Sequence, residues 1–230
     1  CEFINSQITI ESFKEDFEQT LASKFDMSWD LYNQEQKPKM ALFVSKYDHC
    51  LYDILGRYSA GELPLEIPLI ISNHEDLRGV AERFEIPFHH VPFTKDIKEE
   101  GEKQQIELLE EYQINFIVLA RYMQIITPKL IELYKNKIIN IHPALLPKFG
   151  GKGMYGKHVH EAVSKSTVHF SGITVHLVNE EFDKGMILAQ YAFSLKNRSS
   201  TEAIESHVRI LEMKYFPRVI ESVIQAEIIE

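Results

Sequence analysis

The sequence predicts an α/β fold: a doubly wound, mainly parallel sheet preceded by a short α+β segment. Three observations carry that reading. From Met40 onward, short apolar runs alternate with stretches at helical spacing, the pattern of strand–helix units joined by right-handed crossovers. Among them, Phe116-Ile117-Val118-Leu119-Ala120 is a continuous apolar run, suited to the centre of a parallel sheet. Later, residues 172–178 and 187–195 alternate in polarity and read as an antiparallel pair joined by residues 179–186.

The elements follow in order. In residues 1–32 a short strand leads into a helix, with Phe13, Phe17, Thr20, Leu21 and Phe25 at helical spacing, and Met27, Trp29 and Leu31 then alternate as a strand does. About thirty residues cannot bury a core alone. Residues 1–33 are therefore expected to be part of a small module, joined by the polar linker 34–39 to a domain spanning 40–230. The chain opens on Cys1 rather than Met, so its natural start is expected to be missing. In the main domain, strands are expected at 40–45, 67–72, 88–91, 116–120 and 138–142, and helices at 48–60, 76–84, 96–112 and 128–134. Residues 201–225 close the chain as a long helix with Ser200 as N-cap. Neither an internal repeat nor a low-complexity tract is present.

Composition narrows the function classes. With 230 residues, 44% hydrophobic and 26% charged, the chain is neither disordered nor fibrous. A net charge of −9 disfavours non-specific binding to nucleic acid or acidic membranes. No apolar run approaches the roughly 20 residues that span a bilayer, and no secretion signal is visible. Two cysteines, Cys1 and Cys50, make no disulfide framework and suit a reducing cytosol, so a cytoplasmic protein is expected.

The chemistry concentrates at strand ends, where ligands bind in open α/β sheets. Asn140 and His142, in Asn140-Ile141-His142-Pro143, are two apart and share one strand face. Side by side, an amide and an imidazole can bind a carbonyl oxygen as it becomes an oxyanion. Alone, the same residues also read as caps of a strand end. Asp183, in Phe182-Asp183-Lys184-Gly185, could face His142 and favour its imidazolium, or pass a proton through water. Alone, it reads as ordinary turn chemistry. Gly151-Lys152-Gly153-Met154-Tyr155-Gly156 matches G-x-G-x-x-G literally but does not follow a strand directly, so a dinucleotide site is rejected. It reads as a loop in which Lys148, Lys152 and Lys157 attract an anion or remain solvated. The first strand–helix turn, Ser45-Lys46-Tyr47-Asp48, has no glycine and suits a phosphate nest poorly. Cys50 reads as a packed thiol. None of the ten histidines has the companions of a strong zinc motif, and no metal is expected.

Asn140-Ile141-His142 followed by Asp183-Lys184-Gly185 resembles the Asn/His/Asp constellation of the folate-dependent formyltransferase family, over essentially everything from Met40 onward. Two branches are visible. Residues 1–139 look like the formyltetrahydrofolate deformylases, through Val44-Ser45-Lys46-Tyr47-Asp48-His49-Cys50-Leu51, Ile71-Ser72-Asn73-His74-Glu75-Asp76-Leu77 and Leu119-Ala120-Arg121-Tyr122-Met123-Gln124-Ile125. In that branch an ACT domain precedes the catalytic domain, and residues 1–32 look like its latter part. From Pro143 onward the chain looks more like the glycinamide ribonucleotide formyltransferases, through Pro143-Ala144-Leu145-Leu146-Pro147, Gly153-Met154-Tyr155-Gly156 and Ser171-Gly172-Ile173-Thr174-Val175-His176. Pro143 stands where deformylases usually carry a second histidine.

The resemblance implies a formyltransferase-like fold with 10-formyltetrahydrofolate as substrate. Asn140 and protonated His142 would stabilise the oxyanion, with Asp183 sustaining the imidazolium. The folate would lie against Arg121, Tyr122, Met123, Gln124, Ile125, His176 and Val178. Glu212 resembles the glutamate that the transferases use on ribose. Hydrolysis to tetrahydrofolate and formate is the favoured expectation, because a glycine-free first turn carrying Asp48 suits a ribonucleotide phosphate badly. Formyl transfer to the ribonucleotide is the alternative, and a non-catalytic folate or amino-acid sensor a third reading. ACT segments pair between chains, so the resemblance also raises a homo-oligomer.

Overall fold

The computed structural model describes residues 9–29, 37–93, 97–195 and 200–226. It divides into two compact units, Cys1–Lys37 and Pro38–Glu230.

In the first unit, α1 (Ile10–Phe17) continues through a π-helical turn, Glu18–Ala22, into α2 (Ser23–Phe25). Thr9 caps α1, its hydroxyl accepting from Ser12 N at 3.2 Å. The helical spacing of Phe13 and Phe17 stacks their rings at 5.7 Å, and Trp29 packs on Phe17 at 4.7 Å. Of the two strands expected here, the first lies largely outside the described residues, and so does Leu31 of the second. Among the described residues, Met27 and Trp29 have no strand partner.

The second unit is built on one seven-stranded sheet: β1 (Lys39–Val44), β2 (Glu66–Ser72), β3 (Phe88–His90), β4 (Phe116–Ala120), β5 (Ile138–His142), β6 (Phe170–Leu177) and β7 (Ile187–Ser194). The strand order is β3-β2-β1-β4-β5-β6-β7. The first five strands are parallel, and β6 and β7 are antiparallel to their predecessors. Helices α3 (His49–Ser59), α4 (Arg78–Arg83), α5 (Lys98–Glu111) and α6 (Pro128–Leu133) make the crossovers, α7 (Lys157–Lys165) precedes β6, and α8 (Thr201–Gln225) closes the unit. This is the mixed α/β architecture expected from the strand–helix alternation.

The apolar strands are buried on both faces because each alternates its side chains between two cores. Met40, Leu42 and Val44 join Phe116, Val118 and Ala120 on one side. Ala41, Phe43, Ile117 and Leu119 join Leu69, Ile71 and Ile138 on the other. Ser200 caps α8 as expected, accepting from Ala203 N.

In the second unit the expected elements agree with those observed to within a few residues, with one helix unforeseen. Helix α7 carries only Val159, His160 and Val163 as buried positions. Two valines four apart are too sparse a stripe to announce a helix; a buried histidine supplies the rest of its inner face.

The reversal between β1 and β4 creates a switch point. The chain adds β2 and β3 on one side of β1, then returns to place β4 on the other. The crevice beyond the carboxyl ends of β1 and β4 is where such sheets generally take a ligand.

Phe43, fully buried and set edge-on to Tyr122 at 5.3 Å, anchors the second core. Phe43→Ala should lower the unfolding free energy by about 3–5 kcal/mol, read as a lower denaturant midpoint at unchanged slope.

Candidate active site

Antiparallel pairing of β5 and β6 sets Asn140 opposite His176 and His142 opposite Thr174. Asn140 and His142 leave the same face of β5, and the register brings a second imidazole beside them. Asn140 Nδ2 lies 3.1 Å from His176 Nε2, while His176 Nδ1 donates to the Leu177 carbonyl at 2.9 Å.

Asp183 reaches this group from the connection between β6 and β7. It holds a left-handed backbone, φ 56°, which aspartate tolerates in turns. A Cβ at Gly185 would collide with the Leu177 carbonyl, so glycine there lets the connection fold back onto β6. The Asp183 Oδ1 lies 3.7 Å from His142 Nδ1 and 3.6 Å from His176 Nε2. Its Oδ2 accepts from Gly151 N at 2.8 Å. A Cβ at Gly150 would press on Asp183, 3.1 Å from its Cβ. The glycine-rich loop thus serves as a backbone clamp on the carboxylate.

The electrostatics follow from this geometry. Burial raises the Asp183 pKa, but the neighbouring His176, the His142 charge and the Gly151 N–H together outweigh it and hold the carboxyl below its ordinary range. Burial lowers the pKa of His142, and Asp183 and the Phe149 carbonyl restore only part of the loss. His142 Nε2 donates to Phe149 O at 2.9 Å. The resting ring therefore keeps its proton on Nε2 and turns Nδ1 toward Asp183. Desolvation thus opposes a second proton on His142 more strongly than the Asp183 carboxylate favours it.

These groups line a cavity of about 660 Å³, within the range that takes a small organic ligand. Arg121, Tyr122, Met123, Gln124, Ile125, His176 and Val178 all line it with Asn140, His142 and Asp183. Tyr122 also belongs to the core, its hydroxyl accepting from Gln105 Nε2 at 2.9 Å. Lys152 lines the cavity; Lys148 and Lys157 do not.

Glu212 stands apart from that lining. It is 2% exposed on α8, with Oε2 at 2.7 Å from His49 Nε2 and Oε1 accepting from Arg121 Nη1 at 3.1 Å. Both carboxylate oxygens are engaged by side chains of the protein itself, and Glu212 lies behind Arg121 rather than in the cavity lining. Burial raises the Glu212 pKa, but Arg121 and His49 overcome it and hold the group below its ordinary range. Arg121 itself sits at φ 64°, a left-handed backbone costing a non-glycine residue about 1–2 kcal/mol.

His49, Cys50 and Glu212 bring three ligand-type atoms within 4.8 Å of one another. Arg121 already stands on Glu212, and burial, reinforced by the Glu212 charge, pushes the Cys50 thiol well up. That set suits an internal ion pair better than a bound cation.

A family model described as formyl transferase matches residues 38–220. The chain belongs to the formyl transferase family. It is 40% identical over 201 residues to the formyltetrahydrofolate deformylase of Bacillus subtilis, covering 87% of this chain and 65% of that protein. It is 34% identical over 200 residues to the chloroplastic phosphoribosylglycinamide formyltransferase of Arabidopsis thaliana, covering 85% and 68%. Among solved structures, the formyltetrahydrofolate deformylase of Pseudomonas syringae pv. tomato superposes with a TM-score of 0.83 at 34% identity, covering 96% of this chain and 72% of that one. The phosphoribosylglycinamide formyltransferase of Bacillus halodurans superposes with a TM-score of 0.74 at 30% identity, covering 82% and 96%. The residues matched by the formyl transferase family lie in the unit from Pro38 onward.

Sequence reasoning missed the Phe149 carbonyl, the Gly151 N–H and the Arg121–Glu212–His49 network. The first two are main-chain atoms, which residue type does not reveal. The third joins residues 91 and 163 positions apart.

The Glu212 network has a measurable acid signature. Because its folded pKa is depressed, the stability it confers is fully present above the ordinary glutamate pKa of about 4.3 and is lost as pH falls through the lower folded value. Glu212→Gln should flatten the decline of the denaturant midpoint with acid. Glu212→Ala, which leaves Arg121 buried without its partner, should cost about 3–5 kcal/mol.

Proposed function

We propose that this chain hydrolyses 10-formyltetrahydrofolate to tetrahydrofolate and formate. The observation that carries the reading is the convergence of Asn140, His142, His176 and Asp183 in one cavity, in a family whose relatives include deformylases. Apolar walls, including Leu119, Ile126 and Val178, suit a flat heterocycle whose formyl end points at the polar cluster.

Asn140 donates from Nδ2 to the oxygen that becomes negative as water attacks the formyl carbon. His142, tied by Nε2 to Phe149 O, exchanges protons at Nδ1. It takes a proton from the attacking water, and Asp183 stabilises the imidazolium. The new C–O bond gives a tetrahedral intermediate. As the C–N10 bond breaks, the proton passes to N10, and formate leaves. His176 holds the Asn140 amide and shares Asp183 with His142. No step calls for a metal.

Two features favour hydrolysis over transfer to a ribonucleotide amine. The first turn has no glycine, and its Asp48 pairs with Arg209 at 3.5 Å. The deformylase structure also matches 96% of this chain against 82% for the transferase. That fits residues 1–33 as a partial ACT-like regulatory segment, with 34–39 as linker and 40–230 as the catalytic domain. The same reading makes the protein a cytoplasmic enzyme of one-carbon and purine metabolism that forms homo-oligomers and binds neither nucleic acid nor membrane. Among the described residues, no helix is long and apolar enough to cross a membrane. A non-catalytic sensor would have no need of the Asn140, His142 and Asp183 convergence.

Assays of 10-formyltetrahydrofolate turnover with and without glycinamide ribonucleotide decide the matter. Formate should appear without the ribonucleotide; tetrahydrofolate formed only in its presence, with no formate, would establish the transferase instead. Asn140→Ala should lower kcat about 10²–10³-fold, as loss of one oxyanion donor does. Asp183→Asn should lower kcat about 10²-fold or more. It should also move the acid limb of the residual pH profile to lower pH. His142 acts as the base above its pKa, and Asp183 is the group that pulls that pKa up. An acid limb moving upward would contradict the assignment.

A further inference from the structure

The crevice beyond β1 and β4, the usual ligand position in such a sheet, is filled here by the protein's own side chains. Just past the end of β4, Arg121 stacks its guanidinium over the Tyr47 ring at 4.9 Å. It also pairs with Glu212 from α8 at 3.1 Å, both side chains being at most 4% exposed. From the start of α3, His49 closes on the other Glu212 oxygen at 2.7 Å. Outside them, Asp48 and Arg209 pair at 3.5 Å. Ser45 Oγ stitches the strand ends beneath, donating to Asn73 Oδ1 at 2.6 Å and accepting from Met123 N at 2.9 Å.

This network is a wall between two spaces. Arg121 lines the reaction cavity together with Asn140 and His142. His49 lines a shallower depression of about 270 Å³, with Asp48, Tyr52 and Arg209. Arg121, Glu212 and His49 form an unbroken chain of contacts from one to the other. A wall built on the buried Arg121–Glu212 ion pair, with His49 bonded to the same carboxylate, is costly to open, because the two charges would be left buried and unpaired.

We infer that Arg121, Glu212 and His49, roofed by Tyr47, form a partition that determines specificity by keeping amines from the formyl carbon while admitting water. The inference rests on the hydrolytic reading and deepens it. With the partition in place, the C–N10 bond is exchanged for a C–O bond and formate leaves. With it opened, an amine entering through the crevice takes water's place. The C–N10 bond then gives way to a new C–N bond, the amine loses a proton, N10 gains one, and an N-formyl amide leaves. Neither route needs an oxidant or reductant.

The test is the partition of the formyl group between formate and N-formylglycinamide, with glycinamide as the amine probe. A ratio of products is independent of how far overall turnover falls. Arg121→Gly combined with Glu212→Gln removes the buried pair without leaving a lone charge, and relieves the left-handed backbone at residue 121. Arg121→Lys keeps a cation on Glu212. Wild type and Arg121→Lys should give formate almost exclusively. The double variant should raise the amide-to-formate ratio by about tenfold or more, a barrier difference of about 1.4 kcal/mol. If the double variant fails to fold, Tyr47→Ala opens the same crevice from a position already 39% exposed and should raise the ratio in the same direction. Folded open variants that give formate alone would overturn the partition while leaving hydrolysis intact. A wild type that formylates glycinamide as readily as the variants would also overturn it. A wild type that releases no formate would instead remove the hydrolytic reading beneath it.

Discussion

The antiparallel register between β5 and β6 is the constraint on which the site depends. Side chains alternate across a strand with a period of two, so a one-residue slip would send Asn140 and His142 to the opposite face. The observed pairing of Asn140 with His176 and His142 with Thr174 instead places an amide and two imidazoles together. Thr174 helps to hold that register. Its hydroxyl donates to Ala144 O at 2.7 Å and accepts from Leu146 N at 3.0 Å, tying the segment after β5 back to β6.

Asp183 is the charge that organises these groups, and it is held mostly by backbone. A left-handed turn aims it, glycine at 185 lets that turn fold back, and the Gly151 N–H fixes one oxygen. Burial makes an unpaired carboxylate unfavourable, so its hydrogen bonds are structural and electrostatic at once. The same desolvation leaves His142 reluctant to hold a second proton at rest. In the proposed hydrolysis, proton uptake coincides with the appearance of negative charge on the substrate, when the imidazolium gains a partner.

The molecule places its buried charges in two groups with different consequences. Asp183 faces a cavity and is partly exposed, free to exchange protons with what enters. Glu212 is sealed between Arg121 and His49, where any change of protonation leaves a neighbour uncompensated. The first arrangement suits chemistry; the second suits a wall. Both are carboxylates beside histidines, and only solvent access and the identity of the third partner separate them.

Much of this was legible in the residues. The strand–helix alternation, the apolar run at 116–120 and the capped helix from Thr201 follow from periodicity and capping, which are local properties. The spacing of Asn140 and His142 put both on one face, and Asp183 was recognisable as a third member once the family pattern was seen. Other features were settled only by tertiary packing. Helix α7 has too thin an apolar stripe to declare itself, and the Phe149 carbonyl and Gly151 N–H are main-chain groups that any residue could supply. Nothing local to Glu212 announces Arg121 or His49. Those partners arrive from β4 and α3, and it is the closing of the fold around the switch point, where burial makes each charge require its neighbour, that turns a surface-type residue into part of an internal wall.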